Sequence, residues 1–351
     1  MKKAWHASAA LATALGLAAA AALSCSCAPE LLPAPFKPGD LSPPSVVDWG
    51  SRAADEYLIR FDEAVRAVPG DLYGSDGVVP RELRAEDDGR SLVIVLDGSP
   101  APGARFSLAG LAYDLAGNAL GFTLPFWGHN PEPAALLINE LQSVGSSTRP
   151  DAVEFYAVGA GDLAGLAFYV GLRGDYELRY VFPSRRVAAG DYVVLHLRPQ
   201  GLDDERDELV AKDESAGLWA LPTAWDFWYR EGGGGLPDKN GALSLFTSPV
   251  GSALDAVLYS DKESAPGQKY SGFGTSALEA RVKALSVLGA WDFGPEGPRP
   301  EGCARSTGAT STRTLGRPPQ PADTNGPADW YVCASGGASI GSSNSSTPYT
   351  P

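Results

Sequence analysis

Residues 153–170 read VEFYAVGAGDLAGLAFYV, a strand-like run that passes through Gly159, Gly161 and Gly165 into a second apolar run. A glycine-rich turn after a strand opens a dinucleotide-binding fold when a helix follows it, because the helix N-terminal amides hold the phosphate. Here the spacing is G-x-G-x-x-x-G, one residue longer than the dinucleotide pattern. The following residues, Leu166-Ala167-Phe168-Tyr169-Val170, are the aromatic and β-branched types that favour strands. The stretch therefore reads as strand, turn, strand, with the glycines expected to supply positive φ angles. That reading makes the fold all-β.

The rest of the chain agrees. Its 351 residues include 41 Gly and 29 Pro, a balance that suits short strands joined by turns, and the length accommodates two domains. The net charge of −14 repels phosphate backbones and disfavours nucleic acid as a partner.

The N-terminus, MKKAWHASAALATALGLAAAAALSCSCAPE, has the order of a secretory leader: two lysines, an apolar run from Ala7 to Leu23, then small residues. Ala22-Leu23-Ser24-Cys25 resembles the lipobox of bacterial lipoproteins, although leucine stands two residues before the cysteine rather than three. Cys25 is the expected lipidation site and Cys27 the alternative. Residues 1–24 would be the signal peptide and residues 25–45 a proline-rich tether that adopts an extended path. The resemblance implies an exported protein, anchored in the envelope by lipid.

Residues 46–128 carry short apolar runs bounded by turn residues, including Tyr57-Leu58-Ile59-Arg60-Phe61 and Leu92-Val93-Ile94-Val95-Leu96. With Asp114-Leu115-Ala116-Gly117-Asn118 they resemble bacterial Ig-like domains whose last hairpin has a D-x-x-G-N turn. Asp114 and Asn118 are expected to hydrogen-bond the turn backbone rather than a metal. After the Trp127–Pro133 linker, four segments resemble lamin tail domains in order: LLINELQSVGSSTRPDAVEFYAV (136–158), YVFPSRRVAAGDYVVLH (180–196), GGGGLPDKNGALSLFTSPVGSALDAVLYSD (232–261) and TLGRPPQPADTNGPADWYV (314–332). The resemblance implies a second Ig-like β-sandwich over residues 134–345, with insertions near 202–231 and 262–302 and a tail at 346–351. The architecture expected is two tandem Ig-like β-sandwiches, the second with a helical insertion. Ser276-Ala277-Leu278-Glu279 fits a capping box opening that helix, whose Leu278, Val282 and Leu285 share a face.

No complete catalytic set is present. Beyond the leader there are two histidines, His129 and His196, too few for H-E-x-x-H or a multi-histidine zinc site. Alternation along Tyr192–Leu197 puts His196 opposite Val193, Leu195 and Leu197, as a surface or edge residue. Gly337-Ala338-Ser339-Ile340-Gly341 matches G-x-S-x-G, but no helix pattern or histidine follows, so it reads as a glycine-serine tail. Trp219, Trp225, Phe227, Trp228 and Tyr229 are the candidate ligand-binding residues, since aromatic faces beside acids suit sugar rings; burial at the sandwich rim competes with that role. Asp203, Glu205, Asp207 and Glu214 fall on positions 1, 3, 5 and 12 of a calcium loop, but position 6 is Glu208 rather than glycine, and a solvated acidic insertion is the simpler reading. Cys303 and Cys333 flank the closing strands and are expected to form a disulfide in an oxidising compartment.

The functional expectation is a non-enzymatic envelope protein that binds or adheres through its modules, with a membrane contact through lipid, a polysaccharide or envelope-protein partner, and no cofactor. The alternatives are an accessory or metal-dependent component of a surface hydrolase system, drawing on Glu140, Glu154 or the acidic run, and a passive envelope scaffold.

Overall fold

The computed structural model describes residues 39–232 and 234–351. The leader, Cys25, Cys27 and most of the proline-rich tether lie outside the described residues. Among those described, no helix is long and apolar enough to cross a membrane.

The first module pairs two antiparallel sheets. Sheet I has the order β1 (Val46–Ser51), β2 (Glu56–Phe61), β6 (Ser91–Leu96), β5 (Pro80–Ala85). In sheet II, β7 (Arg105–Asp114) lies between β8 (Ala119–Trp127) and the short β3 (Val65–Ala67) and β4 (Tyr73–Gly74). Period-two alternation turns Tyr57, Ile59 and Phe61 of β2, with Leu92, Ile94 and Leu96 of β6, toward Phe106, Leu108, Ala112, Phe122 and Phe126 of sheet II. Tyr57 meets Phe106 edge-to-face at 5.0 Å. Asp114 accepts from Asn118 N and Nδ2 at 2.7 and 2.6 Å, the turn role its sequence implied, although its carboxylate also lies near those of Asp40 and Glu63.

The second module faces a six-stranded sheet III onto a five-stranded sheet IV. Sheet III runs β16 (Trp225–Trp228), β15 (Tyr192–His196), β10 (Ala152–Gly159), β9 (Ala135–Gln142), β20 (Leu315–Gly316), β21 (Tyr331–Val332). Sheet IV runs β13 (Asp175–Val181), β12 (Ala167–Leu172), β17 (Asn240–Phe246), β18 (Ala253–Ser260), β19 (Ala304–Arg305); β11 (Gly161–Asp162) pairs with β14 (Arg186–Val187) at the rim. Phe155, Phe168, Phe182, Val193, Leu195, Phe227, Leu243 and Leu245 fill the space between the sheets. The helix α1 (Ser276–Val287) lays Leu278, Val282 and Leu285 on this core. Its cap is Thr275, whose side chain accepts from Leu278 N at 3.2 Å, so Ser276 does not open a capping box; Glu279 instead accepts from Ser271 and Lys283.

The opening glycines join β10 to β12 through β11, and their roles differ from expectation. Only Gly165 has a positive φ, 80°. Gly161 is held by proximity, because a Cβ there would lie 2.5 Å from Ala134 N. Gly165 also meets the first module: a Cβ on Gly103 would lie 2.6 Å from Gly165 N. The linker is tied at both ends, by reciprocal bonds of Gly128 with Gly103 and Ala104 and by Asn130 Nδ2, which donates to the Asp162 and Ala164 carbonyls at 2.9 Å each.

Candidate functional site

The aromatic cluster is mostly buried. Strand β16 pairs in parallel with β15, and a parallel neighbour requires a crossover, which the acidic insertion provides. Trp225 and Phe227 point into the sandwich core. Trp228 is buried on the other face, stacked on His196 at 4.1 Å with its Nε1 donating to Ser215 Oγ at 3.0 Å. Tyr229 is buried and Trp219 half-buried. Trp225, Phe227, Trp228 and Tyr229 therefore offer little open face to a sugar ring, and only the edges of Trp228 and Tyr229 reach a surface pocket, beside Asp207 and Arg230. His196 is likewise not an edge residue: it is buried, with Nε2 2.8 Å from Asp226 Oδ1. The alternation in β15 holds, but the face expected to meet solvent is roofed by the crossover and by the C-terminal segment, both distant in sequence.

The acidic run is neither solvated throughout nor a calcium loop. Its carboxylates close turns by accepting backbone amides, which an irregular crossover must satisfy somewhere. Glu205, buried, accepts from Gln200, Gly201 and Leu202 at 2.7, 2.7 and 3.0 Å. Asp207 accepts from Trp228 N and the Tyr180 hydroxyl at 2.8 and 2.7 Å. Glu208 takes Asp226 N and Ser215 N, and Glu214 takes Leu209 N and Val210 N. Asp203 is exposed. These carboxylates are spent on separate amides and do not converge on one point.

Cys303 and Cys333 form no disulfide. Both are free, buried thiols, Cys303 Sγ facing the Arg299 carbonyl at 3.7 Å and Cys333 Sγ facing Thr314 Oγ1 at 3.3 Å.

Gly337–Gly341 is not a free tail either. Ser339 donates N and Oγ to Glu140, at 2.8 and 2.7 Å, and Gly341 N donates to Glu154 at 2.6 Å. Glu140 and Glu154, directly opposite on β9 and β10, are thereby enclosed.

A larger concave surface lies between the modules. A cleft of about 950 Å³ is floored by the outer face of sheet I and walled by the β17–β18 turn. Its floor carries Asp48, Gly50, Leu58, Arg60 and Ser91, which the ladders of β1, β2 and β6 place side by side. The turn reaches across so that Val250 lies over Gly50, where a Cβ would be 3.8 Å from Val250 Cγ2. Arg173 stands at the wall, Nη1 donating to the Val250 carbonyl at 2.7 Å; Arg52 pairs with Glu86. Trp49 lines the cleft half-buried, its Nε1 donating to Pro125 O at 2.8 Å, and His129 Nδ1 lies 3.3 Å from Ser51 Oγ. None of these residues was singled out as a binding residue from sequence, since the site exists only where two modules meet and no local motif announces it.

Residues 134–332 match the model of the family described as the TP_1001 protein second domain. The chain belongs to this family. A protein of Treponema pallidum (strain Nichols), described as uncharacterized, is 34% identical over 198 residues, covering 55% of this chain and 49% of that protein; the chain thus spans about half the length of this relative. Among solved structures, the N-terminal part of the bacterial S-layer protein SbsC superposes with a TM-score of 0.25 at 15% identity, over 43% of this chain and 39% of that one. Domains 1–6 of SbsC give 0.25 at 12% identity, over 72% and 44%. A TM-score of 0.25 is too low to place the chain in their fold.

Proposed function

We propose that the chain is an exported, lipid-anchored envelope protein that binds a saccharide-like ligand in the cleft between its two modules and performs no chemistry on it. The cleft carries this reading. It is open, concave and formed at a module interface, where small-ligand sites concentrate, and it combines side chains of both charges with hydroxyls and one half-buried tryptophan. Such a lining offers donors and acceptors to sugar hydroxyls and an apolar surface to C–H groups. The leader-like sequence and its Cys25 or Cys27 support the anchor, and the resemblance to Ig-like and lamin tail domains supports a presenting scaffold. The hydrolase alternative is weakened because Glu140 and Glu154 are enclosed by the C-terminal segment. Binding of a polysaccharide panel to the full chain in detergent, repeated with Arg60→Ala and Arg173→Ala, tests the reading; saturable binding that both variants retain in full would contradict it.

A further inference from the structure

We propose that Glu140 and Glu154 share one proton and that this proton latches the C-terminal segment, residues 334–349, onto the outer face of sheet III as a pH-sensitive strap. The two side chains are buried, facing each other across the β9–β10 ladder. Two like charges in one dry site cannot both be sustained, so one carboxyl keeps its proton. Burial raises both groups above the ordinary glutamate range, and repulsion between the two charges favours the state in which one carboxyl stays protonated.

Hydrogen-bond sense decides which carboxyl holds the proton. The side-chain and strap groups on Glu154 are N–H donors: Asn139 Nδ2 at 2.6 Å and Gly341 N at 2.6 Å. They favour a carboxylate. Glu140 takes one backbone amide, Ser339 N, on Oε1, but its remaining partners are hydroxyls, Thr314 Oγ1 on Oε1 and Ser339 Oγ alone on Oε2, and a hydroxyl can reverse from donor to acceptor. Thr314 has an outlet for its own proton at Cys333 Sγ, 3.3 Å away. Glu140 therefore carries the proton and Glu154 the charge.

Strap residues on both carboxyls make the proton count matter to closure. Ser339 bonds Glu140, Gly341 bonds Glu154, and Asn344 follows with bonds to the Asn139 and Arg317 carbonyls at 3.2 and 2.8 Å. The other ionisable groups near the pair are Tyr156 on β10, Tyr192 and His196 on β15, Asp226 on β16, Tyr331 on β21, and Cys333. Burial, and secondarily the pair's own charge, raises the Tyr192 hydroxyl; burial, then Cys333 and Glu140, raises that of Tyr331, so both stay neutral while the pair titrates. An acid whose folded form holds its proton more tightly than its unfolded form stabilises less as pH rises. The strap is thus firmest in acid and loosens when Glu140 ionises beside Glu154.

Hydrogen exchange at residues 339–344 of the full chain, followed from pH 5 to 9 and corrected for intrinsic rates, tests the latch, with the amides of the buried β12 as an internal control for folding of the second module. In the parent, strap protection falls with rising pH while β12 stays protected. Glu140→Gln, which donates to a hydroxyl as the protonated acid does, keeps the strap protected across the range. Glu154→Gln sets an N–H donor against N–H donors and loses protection at every pH. A flat parent profile, or equal behaviour of the two variants, would overturn the proposal; should Glu154→Gln fail to fold, the parent and Glu140→Gln profiles still decide it.

Discussion

Arg317 presents Nη2 to both carboxylate oxygens of Asp255, at 3.1 and 3.2 Å, with neither side chain exposed to solvent. The same guanidinium donates Nε to the Ile138 carbonyl and Nη1 to that of Ala322, and lies 4.7 Å from the Trp330 ring centroid. It ties sheet III, sheet IV and the 322–330 loop at one point. Arg317 also lies 3.3 Å from Asp323 and 3.4 Å from Asp329, so Asp255→Ala removes its bidentate partner without leaving the guanidinium unpaired and should lower unfolding free energy by about 1–3 kcal/mol. Arg317→Lys should also be costly, because an ammonium cannot supply the planar donor set. Urea unfolding of the two variants checks both.

Trp228 is expected to matter for folding and not for ligand. Trp228→Ala should cost about 3–5 kcal/mol, the usual range for emptying a buried aromatic site, whereas Trp228→Phe should fold and bind any cleft ligand as the parent does. Thermal unfolding and binding measured on the same samples separate the two effects.

Calcium should not stabilise the acidic crossover. The carboxylates of Glu205, Asp207 and Glu214 already accept two or three hydrogen bonds each. Calcium and chelator should therefore give the same Tm, while Glu205→Gln should destabilise by about 1–3 kcal/mol in either condition, since at least one amide loses its acceptor.

Glu208 gives a pH signature. Burial pushes its carboxyl from 4.5 up to about 7, so the folded chain holds a proton that the unfolded chain releases between those values. Stability from this group is greatest at the acid end of the window and declines as pH rises to about 7, at roughly 1.4 kcal/mol per unit when fully expressed. Glu208→Gln should flatten that part of the stability profile, at the cost of one hydrogen bond. Denaturation midpoints at half-unit pH steps would show the change in slope.

The sandwich strands were legible because their alternation is local. Tyr57, Ile59 and Phe61 announce a half-buried strand by themselves, and Leu278, Val282 and Leu285 announce a docking helix face. His196 differs from its sequence reading for the opposite reason: a polar residue alternating with valines looks solvent-facing until a roof arrives from residues 200–224 and 334–349, a roof that also encloses Glu140 and Glu154. Density of acids in 203–214 likewise suggested solvation, although irregular backbone gives carboxylates amides to cap. The cleft has no sequence signature, because Arg60 and Arg173 come together only through the clamp that Gly103, Gly165 and Asn130 impose on the module junction.

Binding of a polysaccharide panel to the full chain, compared across the parent, Arg173→Ala and Trp228→Phe, tests the central claim most directly. The account predicts saturable binding that is lost in Arg173→Ala and retained in Trp228→Phe. Binding that survives Arg173→Ala and disappears in a folded Trp228→Phe would contradict it and return the ligand to the aromatic cluster.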